Sequence, residues 1–182
     1  ASGAVRSGAM GLIDGGVARH SAIAMPVEQR GFARGAPTAS SHATAIASLV
    51  SSSLKANARG LLAADIYGSH PAGGNATAIA PALGWLAQRD VPVVTISLVG
   101  PANALLGRAV KAAQQKGILI VAAVGNDGPA APPRYPAAYK GVIGVTGVDH
   151  RERALPEAGI TTPVDFAAPG AGIKGASPEG SL

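Results

Sequence analysis

Residues 91–125 read VPVVTISLVGPANALLGRAVKAAQQKGILIVAAVG, and this stretch decides the fold. It opens on a continuous apolar run that predicts a buried strand. In its middle part, apolar side chains recur on one helical face at Leu106, Val110 and Ala113, lysines lie near the end, and a glycine stops the pattern. A second apolar run, residues 118–125, predicts a strand buried on both faces. Strand, helix and strand in this order predict two parallel strands joined by a right-handed crossover.

The same alternation of strand and helix extends over the rest of the chain. Further strands are expected at residues 9–14, 60–68, 142–149 and 164–170. Their apolar residues run continuously instead of alternating with polar ones, which indicates a parallel sheet covered on both sides. The predicted fold class is therefore α/β, a three-layer, doubly wound, mostly parallel sheet with helices on both faces.

Two further helices are expected, at residues 40–57 and 77–89. In the first, the side chains expected to share one apolar face are those of Ile46, Leu49, Val50 and Leu54. The second contains Pro81, which fits a helix only within about the first turn. The proline-rich stretch 126–140 is expected to be irregular and to lie over the edge of the sheet.

Length and composition limit the function classes. With 182 residues the chain is long enough for a core of its own, and we expect residues 1–182 to form a single domain. The net charge is +5, but the basic residues are scattered, so we expect no nucleic-acid partner. The absence of cysteine excludes disulfides and thiolate catalysis. Since no apolar run reaches the about 18 residues that a membrane helix needs, no membrane span is expected.

Polar residues lie at the ends of the predicted strands, where ligands bind in such folds. Asp14 ends the first strand, and Asn126 follows the strand at 118–125. His42 begins the next helix. Singly, each residue is more typical of a turn, a helix cap or a solvated surface. Because the carboxyl ends of parallel strands share one edge of a sheet, we expect the three side chains to converge there.

A glycine pattern near the end of the sequence offers a competing interpretation. Gly170, Gly172 and Gly175 form a literal G-x-G-x-x-G, which is the pattern of dinucleotide-binding folds. Such a site needs a helix that opens at the glycines and an acidic residue about 20 positions later. The sequence ASPEGSL that follows has no helical periodicity. We interpret the pattern as a turn, and an α/β enzyme of the nucleotide-binding type is the third hypothesis.

Segments along nearly the whole chain resemble one family, the subtilisin-like serine proteases, or subtilases. In chain order the segments are LIDGGV, SHATAIAS, VTISLVGPAN, ILIVAAVGNDGP, RYPAAYKGVIGVTGVD and VDFAAPGAGI. They are similar to the family's aspartate segment, its H-G-T-x-V-A-G helix, its S-L-G-G strand, the strand ending in its oxyanion asparagine, and its Y-P-A and A-P-G segments. The chain order Asp, His, Asn agrees with this resemblance, since that order differs between protease folds.

The resemblance implies a role for each converging residue. Asp14 would fix the tautomer and orientation of His42, which would act as general base and then as general acid. Asn126 would donate its side-chain amide to the developing oxyanion. Because His42 lies at the positive end of a helix, we expect its imidazole to stay neutral at rest. A second histidine, His20, is similar to a non-catalytic histidine of the family and is not the expected base.

The resemblance also implies a peptide or protein substrate. Ser97, Leu98, Val99 and Gly100 would offer a strand edge to an extended peptide, and Gly125 would form part of a pocket wall. A propeptide or a missing C-terminal segment is the further expected partner. No metal ligands and no cofactor are identified; structural calcium is common in the family, but no compact acid-rich loop places it here. The expected location is secreted or cell-envelope, and a leader is not expected within this chain.

The family's nucleophile is absent from the sequence. It lies in a G-T-S-x-A-x-P segment beyond the A-P-G segment, whereas this chain ends at ASPEGSL. Ser177 and Ser181 lack that context, so neither is expected to be the nucleophile. We therefore expect the C-terminal part of the domain to be missing, apolar surface to be uncovered on the sheet, and the chain alone to be inactive.

Three departures from the family pattern support a second hypothesis. Gly15 stands where the family has Ser or Thr, Ala43 replaces the glycine after the histidine, and Val99 replaces a glycine of S-L-G-G. The methyl group of Ala43 would lie beside the imidazole, and Val99 would narrow the substrate cleft. These changes permit a catalytically inactive, subtilase-like module that binds peptides or a partner protein.

Overall fold

The computed structural model describes residues 8–54, 59–69 and 74–180. The strands are β1 (Ala9–Asp14), β2 (Val27–Gly31), β3 (Gly60–Asp65), β4 (Val93–Ile96), β5 (Leu119–Ala123), β6 (Ile143–Val148) and β7 (Phe166–Pro169), and the helices are α1 (Ser41–Leu54), α2 (Ala76–Gln88) and α3 (Ala104–Gln115). The strands form one seven-stranded sheet in the order β2-β3-β1-β4-β5-β6-β7, with every neighbouring pair parallel. This architecture confirms the predicted fold class. None of the described helices is long and apolar enough to cross a membrane.

One strand of the sheet is absent from the sequence-based prediction. It is β2, with the sequence VEQRG, and its middle residues are exposed. β2 lies at the edge of the sheet and pairs only with β3. An edge strand that buries little surface needs few apolar residues, so its sequence carries no strand pattern. Residues 55–57, the end of the first predicted helix, lie outside the described residues.

Helices α2 and α3 pack together on one face of the sheet. Ile79, Leu83 and Leu86 of α2 belong to the same buried cluster as Val94 of β4 and Ile120 of β5. Each helix begins at an asparagine whose side chain accepts hydrogen bonds from the first turn. Pro81 lies inside α2 beyond the first turn, so the expectation for that residue is wrong. Its ring is exposed and leaves the packed face of the helix undisturbed.

Helix α1 covers the opposite face of the sheet with small side chains. Its buried residues are Ala43, Thr44, Ala47, Ser48 and Ser51, whereas Ile46, Leu49, Val50 and Leu54 are only partly buried. Of these four side chains, Ile46, Val50 and Leu54 pack against the buried cluster, as expected of one apolar face. The small residues form the most buried part of the same contact, together with Leu12 of β1 and Leu61 of β3.

Helix α1 covers only part of its face of the sheet. Within the described residues, the same face is open over strands β4 to β7. On this face Val93 pairs with Leu119, and Val145 pairs with Phe166. Leu119 is 55% exposed and Phe166 is 63% exposed. The prediction that residues 118–125 are buried on both faces is therefore wrong, because only the side that meets α2 and α3 is buried. The uncovered apolar surface expected from the sequence lies here.

Candidate active site

A hydrogen-bonded acid–histidine pair lies at the carboxyl end of β1. Asp14 ends the strand and is only 3% exposed. Its Oδ1 accepts a hydrogen bond of 2.7 Å from the main-chain N–H of Gly15, and its Oδ2 lies 2.8 Å from Nδ1 of His42. Because a carboxylate only accepts hydrogen bonds, Nδ1 donates and Nε2 of the neutral ring remains an acceptor. The imidazole thus has the tautomer that a general base needs.

Main-chain hydrogen bonds hold the start of α1 against the end of β1. The N–H of Gly16 donates to the carbonyl of Thr38 at 3.1 Å, and the N–H of Ser40 donates to the carbonyl of Gly16 at 2.8 Å. The hydroxyl of Ser40 caps the helix by accepting from the N–H of Ala43 at 3.1 Å. A Cβ atom on Gly15 would lie 2.5 Å from that hydroxyl oxygen. A side chain at this position would force Ser40 to shift, so Gly15 suits the packing of this helix start.

The electrostatics of His42 are dominated by its carboxylate partner. The hydrogen bond that Nδ1 donates to Asp14 raises the pKa of His42 above its ordinary value of 6.5, partial burial opposes this, and the charge of Asp14 adds to it. The expectation that the positive end of the helix helps to keep the imidazole neutral stays a prediction. The next residue, Ala43, is fully buried and packs in the core beneath α1. Its methyl group serves that packing and does not fill open space beside the ring.

Gly125 and Asn126 follow β5 at the same edge of the sheet. Gly125 has a φ of +96°, in the left-handed region that favours glycine, and its carbonyl accepts a hydrogen bond of 3.1 Å from the N–H of Gly159. The side chain of Asn126 is exposed, and its amide makes no hydrogen bond with any residue in the described ranges. Its N–H groups are therefore available to a ligand.

An unpaired stretch of backbone follows β4. Gly100 exchanges two main-chain hydrogen bonds of 2.9 Å with Tyr135. Within the part of the chain that the structure describes, the main-chain groups of Leu98 and Val99 make no hydrogen bond. An extended peptide could therefore pair with this stretch as an added strand.

These groups surround a cleft of about 660 Å³. His42 lines it from the start of α1, Ser97, Leu98 and Val99 from the chain after β4, and Gly125 and Asn126 from the chain after β5. The structure thus brings together the residues predicted from the sequence. Two of the predicted residues do not line the cleft directly. Asp14 acts on the cleft through its hydrogen bond with His42, and Gly100 is paired with Tyr135.

Other lining residues escaped the sequence-based prediction. Ile46 and Leu49 follow His42 by one and two turns of α1, and that helical spacing could have found them. Leu155 and Glu157 come from the loop after β6, where no local pattern marks them. The cleft therefore has apolar walls and an additional carboxylate besides the predicted polar groups.

The described serines do not complete a triad with His42. No serine hydroxyl in residues 8–54, 59–69 and 74–180 is hydrogen-bonded to that ring. Ser177 lies in a segment that crosses α1, where the N–H of Ala176 donates to the hydroxyl of Ser48 at 3.0 Å. Ser181 lies outside the described residues.

The competing histidine and the glycine pattern have other contacts. Nδ1 of His20 accepts a hydrogen bond of 3.0 Å from the N–H of Ala22. Gly172 has a φ of +67°, and a Cβ atom on Gly175 would lie 2.6 Å from the Cβ of Ala45 in α1. Between these glycines and residue 180 the chain forms bends and turns and no helix. The pattern thus marks a turn, as the sequence predicted, and also a close crossing of α1.

Metal binding has no evident location among the residues that the structure describes. No three His, Asp or Glu side chains of that set are grouped as ligands. The structural calcium ion that the family resemblance implies stays a prediction without a placed site.

Comparisons with known proteins find relatives of this chain. The model of the Subtilase family matches residues 22–179, a range that includes His42 and Asn126. Thermitase from Thermoactinomyces vulgaris is 38% identical over 101 residues, which cover 55% of this chain and 36% of thermitase. The minor extracellular protease Epr from Bacillus subtilis (strain 168) is 32% identical over 101 residues, which cover 55% of this chain and 16% of that protein. The chain thus matches well under half the length of these relatives.

A solved structure has the same arrangement of strands and helices. The crystal structure of a cold adapted subtilisin-like serine proteinase aligns with a TM-score of 0.81, covering 98% of this chain and 70% of the other, at 21% identity. At that level of identity the likeness concerns the fold alone. It agrees with the parallel sheet and with the positions of its covering helices.

Proposed function

Because this chain belongs to the subtilase family, we propose that it forms part of a serine endopeptidase, which hydrolyses peptide bonds. The observation that carries the proposal is the hydrogen bond of 2.8 Å between Oδ2 of the buried Asp14 and Nδ1 of His42. That bond sets the tautomer in which Nε2 can receive a proton. The histidine also lines a cleft large enough for a peptide side chain.

In the proposed mechanism, His42 transfers protons in both halves of the reaction. Its Nε2 takes the proton of a serine hydroxyl as that oxygen attacks the peptide carbonyl, and then returns a proton to the leaving amine. Asp14 stabilises the imidazolium formed in between, and the raised pKa of His42 supports this role. Because no described serine is bonded to the ring, we propose that the nucleophile comes from outside the described residues.

Asn126 is the proposed oxyanion donor. Its amide has no partner among the described residues and lines the same cleft as His42. A donor already in place acts mostly on the charge that develops in the transition state. The chain after β4 is the proposed platform for the substrate, since Leu98 and Val99 have unpaired main-chain groups that an extended peptide would complete.

A peptide-binding module without catalysis is the second candidate function. The absence of a hydrogen bond between His42 and any described serine supports it. Two of the three sequence departures give it no support. Gly15 suits the packing against Ser40, and Ala43 packs in the core. Only Val99 lines the cleft directly.

Labelling with a fluorophosphonate probe distinguishes the two candidates. We expect the full-length protein to be labelled, and the His42→Ala variant to react at least about 100-fold more slowly because the attacking hydroxyl loses its base. His20→Ala is the matched control and should react at the wild-type rate. The 182-residue chain by itself should bind peptide without being labelled. Labelling of that chain at Ser177 or Ser181 would overturn the assignment of the nucleophile.

We further propose that the protein is exported. One relative carries the name minor extracellular protease. An antibody against this chain should detect the protein in the culture medium or the cell envelope. Detection in the cytoplasmic fraction alone would contradict the proposal.

A further inference from the structure

Asp65 is a buried carboxylate that the proposed mechanism does not use. It ends β3 as Asp14 ends β1, and the two residues pair in the register of these parallel strands. Asp65 is fully buried. Because a carboxylate removed from water is unfavourable unless hydrogen bonds compensate it, the donors around Asp65 indicate what its burial stabilises.

Each oxygen of the Asp65 side chain binds a different part of the chain. Oδ1 accepts hydrogen bonds of 2.9 Å from the main-chain N–H groups of Tyr67 and Gly68. Oδ2 accepts a hydrogen bond of 2.7 Å from the main-chain N–H of Thr38. Tyr67 and Gly68 directly follow β3, whereas Thr38 lies in the loop that precedes α1. Oδ2 therefore connects that loop to the end of β3.

Asp65 holds both ends of the loop at residues 32–38. The N–H of Phe32 donates to the main-chain carbonyl of Asp65 at 2.8 Å, and the N–H of Thr38 donates to its side chain. None of residues 32–40, all of which the structure describes, is buried. Packing therefore contributes little to the position of this loop, which depends instead on hydrogen bonds.

Thr38 connects Asp65 to the residues around the catalytic pair. Its carbonyl accepts a hydrogen bond of 3.1 Å from the N–H of Gly16, whose own carbonyl accepts one of 2.8 Å from Ser40. Gly16 follows Asp14 by two residues, and Ser40 precedes His42 by two residues. The side chain of His42 is 64% exposed, so packing alone does not hold the ring against Asp14. The position of the ring therefore depends on how firmly the start of α1 is held.

We propose that Asp65 is a positioning residue for the pair of Asp14 and His42. It fixes the loop before α1 and thereby keeps Nδ1 of His42 within hydrogen-bond distance of Asp14. The inference rests on the proposed function and extends it to a residue that is not hydrogen-bonded to the ring and is too deeply buried to contact a substrate. A displacement of about 1 Å at a catalytic group can cost about 10²-fold in rate, so such positioning matters for catalysis.

The Asp65→Asn variant removes one hydrogen bond while keeping the shape of the side chain. An amide has one accepting oxygen, and its NH₂ group cannot accept from an N–H. The oxygen satisfies two donors when it faces Tyr67 and Gly68, so we expect the NH₂ group to face Thr38. In the full-length protein, kcat for a peptide should fall about 10- to 100-fold. KM should change less than about twofold, because the chain after β4 is unaltered.

NMR titration of His42 in the 182-residue chain measures its positioning without depending on activity. In Asp65→Asn the hydrogen bond to Asp14 should form only part of the time, so the raised pKa of His42 should fall towards 6.5. A loss of stability alone would leave the pKa of the folded state unchanged. Asp165→Asn is the matched control, since Oδ2 of Asp165 accepts a hydrogen bond of 2.8 Å from the main-chain N–H of Gly144 at the amino end of β6. In that variant both kcat and the pKa of His42 should keep their wild-type values.

A double variant separates positioning from the direct effect of the charge of Asp65. Removal of a nearby negative charge would also lower the pKa of His42. If Asp65 acts through the bond between Asp14 and His42, adding Asp65→Asn to Asp14→Asn should shift the pKa of His42 far less than Asp65→Asn shifts it in the wild type. An equal shift in both backgrounds would overturn the positioning role.

Amide hydrogen exchange in the wild-type chain gives a result even if Asp65→Asn does not fold. The N–H of Thr38 should exchange as slowly as those of Tyr67 and Gly68, although Thr38 is exposed. Exchange of the Thr38 amide at the rate of an amide without a hydrogen bond would overturn the proposal.

The outcomes separate this inference from the proposed function. An unchanged kcat or an unchanged pKa of His42 in Asp65→Asn would overturn the role of Asp65 and leave the protease assignment intact. If the wild-type full-length protein hydrolyses no peptide, the proposed function fails, and the titration still decides whether Asp65 positions His42.

Discussion

At the scale of single residues, the chemistry depends on how Asp14 holds His42. The carboxylate is buried, while the side chain of His42 is 64% exposed. Partial burial of the ring acts against the charged form and is the second-largest influence on the pKa of His42. The hydrogen bond that the ring donates to the carboxylate is the largest influence and raises the pKa of His42. The pair thus favours the imidazolium that a general base must become.

The Asp14→Asn variant should lower the pKa of His42. The substitution removes the hydrogen bond to a carboxylate and its charge, and leaves the partial burial that lowers the pKa. Because the folded-state pKa is raised above 6.5 in the wild type, His42 contributes stability that is fully present below that value and is lost as pH rises through the folded pKa. In Asp14→Asn this contribution should disappear. NMR titration of the ring Cε1 proton and urea unfolding at several pH values measure the two effects.

Asp149→Asn is the matched control for the titration of His42. It removes another carboxylate, which is paired with Arg153 at 2.8 Å in an exposed loop. The pKa of His42 measured by NMR titration should not change in this variant. An unchanged pKa of His42 in the Asp14→Asn variant would contradict the claim that Asp14 raises the pKa of that ring.

The Asn126→Ala variant should lower kcat of the full-length protein on the order of 10²–10³-fold, as measured for oxyanion donors in subtilisin chemistry. KM should change little, because the amide would act on the transition state more than on the bound substrate. Steady-state hydrolysis of a chromogenic peptide gives both constants. A rise in KM at constant kcat would instead place Asn126 in substrate binding.

The sequence revealed some of the site residues and not others. Asp14, His42 and Asn126 are each a polar residue at the end of an apolar run or at a helix start, so local patterns find them. Leu155 and Glu157 have no such pattern. They line the cleft because the loop after β6 folds back on its own strand, where the N–H of Leu155 donates to the carbonyl of Gly147 at 3.2 Å.

At the scale of elements, α1 illustrates what periodicity leaves open. The helix is correctly predicted from apolar spacing, but its buried face consists of Ala43, Thr44, Ala47, Ser48 and Ser51. Several faces of this helix carry apolar or small residues, so the spacing of apolar residues does not specify which face is buried. Packing against β1 and β3 decides, since Ala43 and Ala47 share one buried cluster with Leu12 and Leu61.

The Ala47→Leu variant should destabilise the protein by about 1–3 kcal/mol. Ala47 is fully buried in the contact between α1 and the sheet, and a larger side chain there forces the helix outward. Val50→Leu is the control on the same helix, since Val50 is only partly buried, and its effect should stay below about 1 kcal/mol. Urea unfolding followed by circular dichroism measures both. Equal stability of the two variants would contradict the close packing of α1.

At the scale of the whole molecule, the two faces of the sheet are covered unequally. α2 and α3 bury one face, while α1 covers only part of the other in the described residues. A continuous apolar strand sequence such as residues 118–125 indicates that both faces are suited to burial. It does not specify which element covers each face, and for this reason the prediction for that strand was wrong.

The double variant Leu119→Gln, Phe166→Gln should bind less of the dye ANS and associate less with itself. Both side chains are exposed on the open face, so their replacement removes apolar surface without removing core contacts. ANS fluorescence and sedimentation velocity measure the effects. Leu105→Gln is the control, since Leu105 is 38% exposed on α3 at the other face. Unchanged dye binding in the double variant would mean that the open face is covered in solution.

The most direct measurement of the central claim is the hydrolysis of a peptide by the full-length protein and by its His42→Ala and His20→Ala variants. The account predicts that His42→Ala loses on the order of 10²–10⁴-fold in kcat/KM, because the base held by Asp14 is removed. It predicts that His20→Ala stays within about twofold of the wild type, since that ring accepts only from the N–H of Ala22. Full activity in His42→Ala, or an equal loss in both variants, would contradict the assignment of Asp14 and His42 as the catalytic pair.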